Sequence, residues 1–355
     1  AESRDGIKWT RPNLGLFEWE GSKDNNIVWR GEGSHNFTAF RDDNPATTAE
    51  ARYKALGGGS RGLLSFQSPD CKKWTRTGEQ PIITHGAFDS QNLAFWDQVR
   101  GEYRAYWRYF TAGQTDPNNW RPAGVRAIRT ATSGDFVHWE HEADLTYGDA
   151  PAEHLYTNAI TKYFRAPHLF IGFPTRYLPK QGERVEPVLM SSRDGVRFDR
   201  WEDAVIPEDA PADRKGNRSN YMAWGMFQIP GKPNEISVYA TENYYGPTPG
   251  RVRRFAYRVD GFVALQSGAT GGVVTTKPLR YRGQRLLLNY VVHPGGSLRV
   301  EILDSSGKVL GRSQSIEGDQ VDASVGWELD PSLSAGVVQV RLVSSRTDVY
   351  SLRFD

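Results

Sequence analysis

Ser3-Arg-Asp5-Gly6-Ile-Lys-Trp9 recurs as Ser68-Pro-Asp70-Cys71-Lys-Lys-Trp74, as Ser133-Gly-Asp135-Phe136-Val-His-Trp139 and as Ser192-Arg-Asp194-Gly195-Val-Arg-Phe198. A degenerate fifth copy is Arg258-Val-Asp260-Gly261-Phe262, and the Asp-to-Asp spacings are 65, 65, 59 and 66 residues. The motif reads as a strand ending at Ser, a tight Asp-Gly turn, and an aromatic that starts the next strand and packs inward. Four good copies at near-constant spacing define a repeated unit. About 60–65 residues suits a four-stranded antiparallel blade with long loops, hence a β-propeller.

Each repeat carries the same internal order. Inner strands are expected at 35–40, 91–95, 157–160 and 220–223, after polar residues. Second strands are expected at 53–56, 103–109, 168–174 and 236–241. Four blades have all their strands, whereas the Asp5 turn ends a blade whose earlier strands are missing. The expectation is therefore an all-β chain: a five-bladed β-propeller over residues 1–262, its first blade incomplete, followed by a β-sandwich over 263–355. In the second part strands are expected at 285–292, 297–303 and 337–343, with hairpin turns at Pro294-Gly-Gly and Asp304-Ser-Ser-Gly307. The sequence opens at Ala1, and the orphan turn suggests that it starts inside a longer protein.

Composition agrees with this reading. The 355 residues include 36 Gly, 11 Trp, 16 Tyr and 16 Phe, and few stretches have a helical apolar period. The formal net charge is +2 with no basic run, so charge makes no case for nucleic acid or a membrane surface. No apolar run approaches the roughly 18 residues of a membrane-spanning helix. The one cysteine, Cys71, has no partner for an intrachain disulfide. The seven histidines lack zinc-site spacing, Gly57-Gly-Gly-Ser60 reads as a flexible loop without the features of a phosphate loop, and no metal or cofactor is expected.

Propeller geometry groups residues from distant segments at one mouth, where inner strands begin and second strands end. His35 and Asn36, Asp89, Glu153 and His154, and Arg218 and Asn220 precede inner strands. Arg108, Arg176, Glu242 and Tyr244 lie toward the ends of second strands. Paired carboxylates are the equipment of glycoside hydrolysis, one protonating the leaving oxygen and the other acting as nucleophile or as base on a water. Nearby Trp and Tyr rings would stack on sugar faces. Asp42 and Asp43 are explained by turn chemistry, as are the repeated aspartates.

Asp5–Gly15, Gly21–Ile27, Gly86-Ala-Phe-Asp89-Ser-Gln-Asn92, Glu153-His-Leu-Tyr-Thr-Asn158 and Phe173-Pro-Thr-Arg176 resemble five-bladed propeller proteins related to glycoside hydrolase families 32 and 43. The likeness is greatest to a bacterial, planctomycete-type subgroup with a C-terminal β-sandwich. The resemblance implies one aspartate role for Asp89 and the acid role for Glu153; the other aspartate role has no counterpart here. The expected function is hydrolysis of a glycosidic bond in a poly- or oligosaccharide. In that reading Glu153 is the general acid, Asp89 the base, nucleophile or pKa modulator, and Glu242 a further base candidate. His35, Asn36, Arg108, His154, Arg176, Asn220 and Tyr244 would bind the carbohydrate. The alternatives are a non-catalytic glycan-binding propeller, a protein-interaction scaffold, and a sialidase-like enzyme in which Arg108, Arg176 and Arg218 converge. Secretion or a periplasmic location follows only from the polysaccharide reading.

Overall fold

In the computed structural model the four turns are built from the same bonds. Ser192 Oγ donates to Asp194 Oδ1 at 3.1 Å, and that oxygen accepts the backbone N–H groups of Val196 and Arg197 at 2.9 and 2.7 Å. Asp5, Asp70 and Asp135 take the equivalent donors from Ile7 and Lys8, Lys72 and Lys73, and Val137 and His138. The residue after each aspartate is left-handed: φ is +67° at Gly6, +62° at Cys71, +69° at Phe136 and +80° at Gly195. This conformation explains the Asp-Gly pairs, and makes Cys71 and Phe136 the strained copies. Phe136 is buried against Phe40 and Tyr103, whereas Cys71 is exposed.

The described residues are 1–116, 118–207, 221–244, 250–333 and 336–355. Among them the chain is all-β, apart from one 3-10 turn at Pro179–Gln181. Strands β1 (His35–Arg41), β2 (Tyr53–Gly59), β3 (Gly62–Ser68) and β4 (Thr75–Arg76) form a four-stranded antiparallel meander. A second follows in β5 (Leu93–Asp97), β6 (Glu102–Asp116), β7 (Asn119–Ser133) and β8 (Glu140–Asp144). In the third, β9 (His154–Leu155) is set apart from β10 (Thr161–Tyr163) and β11 (Ala166–Gly172). There the chain breaks at Phe173-Pro174 before β12 (Thr175–Leu178); β13 (Arg184–Ser192) spans both pieces and β14 (Phe198–Ala204) completes the sheet. Proline cannot donate to the ladder, which fits an interruption at that point. β15 (Glu235–Glu242) pairs with β16 (Arg251–Arg258). Sheet following sheet in this meander order is the architecture of a propeller.

The second and third sheets are each tied to the one before through their repeated turn. Phe136, from the turn after β7, packs on Phe40 of β1, while Tyr103 of β6 donates its hydroxyl to the buried Asp42 at 2.7 Å. Asp42 also pairs with Lys54 of β2. The Tyr106 hydroxyl of β6 donates to the Gly195 carbonyl of the next turn at 2.9 Å. The Tyr239 hydroxyl of β15 donates to the Gly6 carbonyl at 2.5 Å, and Trp9 packs edge-on against the Tyr239 ring. The N-terminal turn thus docks on β15 as the Asp194 turn docks on β6.

The chain divides into two compact units, residues 1–227 with 238–255 and residues 228–237 with 256–355. The second unit is built on two long strands. β17 (Leu265–Ser267), β18 (Gly272–Thr275) and β19 (Leu279–Tyr281) all pair with β24 (Gly336–Phe354), which in turn pairs with β20 (Leu286–Leu303). β21 (Val309–Ser313), β22 (Asp319–Ser324) and β23 (Trp327–Leu329) complete the sheet around a core that includes Leu286, Leu298, Val300, Val340 and Leu342.

Several local expectations are corrected. Pro294-Gly-Gly is not a hairpin turn; it is an irregularity inside β20, where the register against β24 shifts between Val292 and Ser297. The expected strands at 285–292 and 297–303 are therefore one strand. The inner strand expected at 157–160 starts later, at Thr161, because Ala159 has a φ of +40°. The Gly57–Gly59 run is not a loop but the end of β2. A Cβ on Gly58 would lie 2.7 Å from the Phe88 carbonyl oxygen, so glycine is needed for the backbones to approach. The fifth copy differs because Arg258 replaces the serine, and its turn is closed by Gly261 N–H donating to the Arg258 carbonyl at 3.0 Å.

Two predictions follow from the turn chemistry. Backbone donors, working against burial, hold the Asp194 carboxyl down at about 2; donors from Lys8 and Ile7 likewise lower Asp5, and those from Lys73 and Lys72 lower Asp70. The folded state then releases protons that an ordinary carboxyl, at about 3.9, would keep. Their stabilisation is present above about pH 4 and is lost as pH falls toward 2; urea midpoints across that window should fall less steeply for Asp194→Ala than for the parent. Cys71→Gly should raise the unfolding free energy by about 1 kcal/mol in the same assay, by removing an exposed left-handed side chain.

Candidate functional site

The period of two along a strand decides which of the expected residues can meet. In β9 and its flanks, Glu153 and Leu155 point to one face, and His154 and Tyr156 to the other. The register against β12 carries the division across: Arg176 lies opposite Leu155, and Tyr177 opposite His154.

On the first face is a network of charges. Arg176 Nη1 donates to Glu153 Oε1 at 3.2 Å, and its Nη2 donates to Glu186. The Arg200 guanidinium donates to Glu153 Oε2 and also to the Pro151 carbonyl, the latter at 2.5 Å. The Arg200 side chain is 1% exposed and that of Glu153 is 18% exposed. Both oxygens of Glu153 therefore accept guanidinium bonds, which is an architecture for holding strands together. Glu242 is buried as well and pairs with Arg253.

The second face joins a string of rings and guanidiniums. Arg108 and Phe110 of β6 share a face, and Arg126 of β7 is directly opposite Phe110. The Arg108 guanidinium carbon is 5.2 Å from the Phe110 ring centre and 5.0 Å from that of Tyr156. That of Arg126 is 5.3, 5.4 and 5.0 Å from the rings of Phe110, Tyr156 and Tyr177. Tyr156 continues edge-on to Tyr221, and Tyr221 to the exposed Tyr244.

Asp89 sits where this face meets open space. Its carboxylate pairs with the buried Arg108, yet its side chain is 49% exposed. The loop bearing it is pinned: Ser90 Oγ donates to the Tyr156 carbonyl at 2.6 Å, and Gln91 Oε1 accepts the backbone N–H groups of Asn158 and Ala159 at 3.2 and 2.6 Å. Asp89 lines a cleft of about 390 Å³ with His35, Arg61, Phe88, Thr115 and Trp120. A second cleft, of about 930 Å³, shares Ser60, Arg61, Thr84, Gly86 and Thr115 and extends to His85, Tyr109, Phe110, Arg129 and Asp144. Together they form a groove between the β2–β3 turn and the long β6–β7 hairpin. Gly58 and Gly86 line its floor; a Cβ on Gly86 would meet the Trp107 ring at 2.5 Å.

Of the expected residues, the structure brings Asp89, His35 and Arg108 together at this groove. Asn36, with φ at +50°, occupies the bulge that opens β1 and contacts the His35 ring at 3.4 Å. His154 joins the ring-lined face through Arg126, while Glu153 and Arg176 are on the opposite side of the same strands. The proposed convergence of Arg108 and Arg176 does not occur, since each is committed to different carboxylates on different faces. Asn220 and Arg218 lie outside the described residues. Sequence reasoning passed over Arg126, Trp120 and Tyr156. The signal for the first was the alternation Arg104, Tyr106, Arg108, Phe110 on one strand, facing an arginine on the next.

No protein-family model matches the chain, and no curated protein matches it. Among solved structures it is similar to a Bacillus subtilis arabinoxylan arabinofuranohydrolase of glycoside hydrolase family 43, in complex with cellotetraose, at 14% identity and a TM-score of 0.38, covering 85% of this chain and 76% of that one. An N-acetylgalactosamine deacetylase from F. plautii, in complex with blood group B trisaccharide, is similar at 12% identity and a TM-score of 0.44, with 95% and 79% covered. A Bombyx mori β-fructofuranosidase of family 32 is similar at 10% identity and a TM-score of 0.35, with 87% and 75% covered.

The ion-pair face makes a prediction about stability. Glu153→Ala should cost about 3 kcal/mol, because it leaves the buried Arg200 and its neighbour Arg176 without their shared anion. Chemical denaturation of the purified variant measures this directly.

Proposed function

We propose that the chain is a glycosidase-type protein that takes a carbohydrate chain into the groove between its first two sheets and cleaves a glycosidic bond beside Asp89. The observation that carries this reading is Asp89 itself: a half-exposed carboxylate, fixed by a buried arginine, at the inner end of a groove with Trp120 on its wall. A fixed anion at that place can act as nucleophile, as base on a water, or as the charge that stabilises an oxocarbenium-like transition state. Trp120, which is 48% exposed, and Phe110 offer apolar faces to sugar rings, and His35, Arg61 and Thr115 can bond hydroxyls. Two-carboxylate chemistry also needs a proton donor. Glu153 fills that role less well than its place in the sequence suggests, since both its oxygens are held by guanidiniums.

The second reading is a propeller that binds glycans without cleaving them. It is favoured by the same commitment of Glu153 and Glu242 to arginines. One panel of oligosaccharides, assayed for binding by calorimetry and for released reducing ends, separates the two. Under the hydrolase reading Asp89→Asn should lower turnover at least 100-fold with binding kept within about threefold, and Trp120→Ala should weaken binding about tenfold. Binding without turnover in the parent supports the second reading, and turnover unaffected by Asp89→Asn removes Asp89 from the chemistry.

A further inference from the structure

No ion pair among the described residues holds Arg126 or, on the groove wall, Arg61; of these two it is Arg126 that is seated among aromatic rings. Arg108 pairs with Asp89, Arg129 with Glu142 and Asp144, Arg176 with Glu153 and Glu186, and Arg253 with Glu242. No carboxylate among the described residues pairs with Arg126. Its surroundings are three aromatic rings, with Phe110, Tyr156 and Tyr177 all within 5.4 Å of the guanidinium carbon. Its Nε is buried without a hydrogen-bond partner, as are those of Arg108 and Arg176, but its Nη1 makes only a 3.4 Å contact with His154 Nδ1, where Nη2 of Arg108 and both Nη groups of Arg176 reach carboxylates.

His154 does not supply a compensating charge. Its Nδ1 accepts the Arg126 backbone N–H at 3.2 Å, so the ring proton belongs on Nε2. Burial, and then the Arg126 charge, push the imidazole below its ordinary range. The ion pairs at this face therefore join one carboxylate, Asp89, to one of two guanidiniums; the exposed Glu183 accepts the Tyr177 hydroxyl at 3.2 Å and is not paired with Arg126. A guanidinium with partners for only part of its fork is costly where water is displaced, and an incoming anion can complete it with two parallel bonds. Phe110 belongs both to this cage and to the second cleft, so the cage adjoins the groove through that ring.

We infer that the groove's ligand carries an anionic group, a uronate carboxylate or a sulfate ester, that binds Arg126 within the cage of Phe110, Tyr156 and Tyr177. The inference deepens the carbohydrate reading and rests on it for the class of ligand, but the anion site stands on Arg126 alone.

The test uses the full chain and four probes: trigalacturonate, its carboxyl-reduced counterpart, a sulfated galacto-oligosaccharide, and free glucuronate. The parent should bind at least one charged oligosaccharide about 10- to 100-fold more tightly than the neutral one. Arg126→Gln should erase that preference while leaving the neutral ligand within about twofold; Arg126→Lys should retain part of it. Preference for trigalacturonate identifies a carboxylate ligand, and preference for the sulfated probe a sulfate. Melting temperatures close to the parent's show that the variants fold; should Arg126→Gln not fold, Arg126→Lys together with the salt dependence of parent binding decides the matter. Equal binding of charged and neutral probes, or a preference that survives Arg126→Gln, overturns the inference. Glucuronate that stabilises the parent but not Arg126→Gln, with no oligosaccharide bound, keeps the anion site and overturns the carbohydrate reading instead.

Discussion

Strand alternation is the constraint from which the rest of the site follows. Where successive sheets pack face to face, both faces of a strand are committed to neighbours, and a polar residue must find its partner within that contact. Glu153, Arg176, Glu186 and Arg200 solve this as a closed network, and Lys54, Asp42 and Tyr103 solve it again between the first two sheets. Such groups are numerous in this chain, yet they are occupied in holding sheets. A charged residue becomes available for a ligand only where its strand end or loop rises past the neighbouring sheet. Asp89 does so from a loop; the uncharged Trp120 is exposed likewise, on the hairpin in which β6 and β7 extend well beyond their partners.

What could be read from the sequence was the part determined over short distances. The aspartate turns are local, with Oδ1 two and three residues from its donors, so four copies could be recognised without knowledge of their neighbours. The strands with clear punctuation followed. The misreadings share a different cause: one residue pattern served two geometries. Pro294-Gly-Gly breaks a ladder in either a hairpin or a bulge, and only the pairing of Ser297 with Ser345 distinguishes them. Gly57–Gly59 reads as slack chain, although there Gly58 admits the backbone of the Phe88 loop and Gly57 that of Gly33.

The candidate site was legible in part for the same reason. Proximity along the chain put Glu153 and His154 together, and adjacency on a strand is what sends them apart. Asp89 and His35, each before an inner strand, and Arg108, on a second strand, do meet at the groove. Arg126 was missed because its importance lies in its having no ion-pair partner, which depends on where every nearby carboxylate points.

That charge balance also bears on how the groove could work. Arg108 holds Asp89 at one fixed position, and the rings that flank Arg108 also flank Arg126. An anion seated on the second guanidinium would therefore be placed relative to Asp89 through shared walls, not through a mobile side chain. Rigid placement of a remote substrate group is a means of aligning the bond to be broken, and its effect grows as the bound substrate displaces water from the anchoring pair. The cage that leaves Arg126 unmatched in the free protein is, on this argument, what would make its contact with substrate strong enough to orient the sugar beside Asp89.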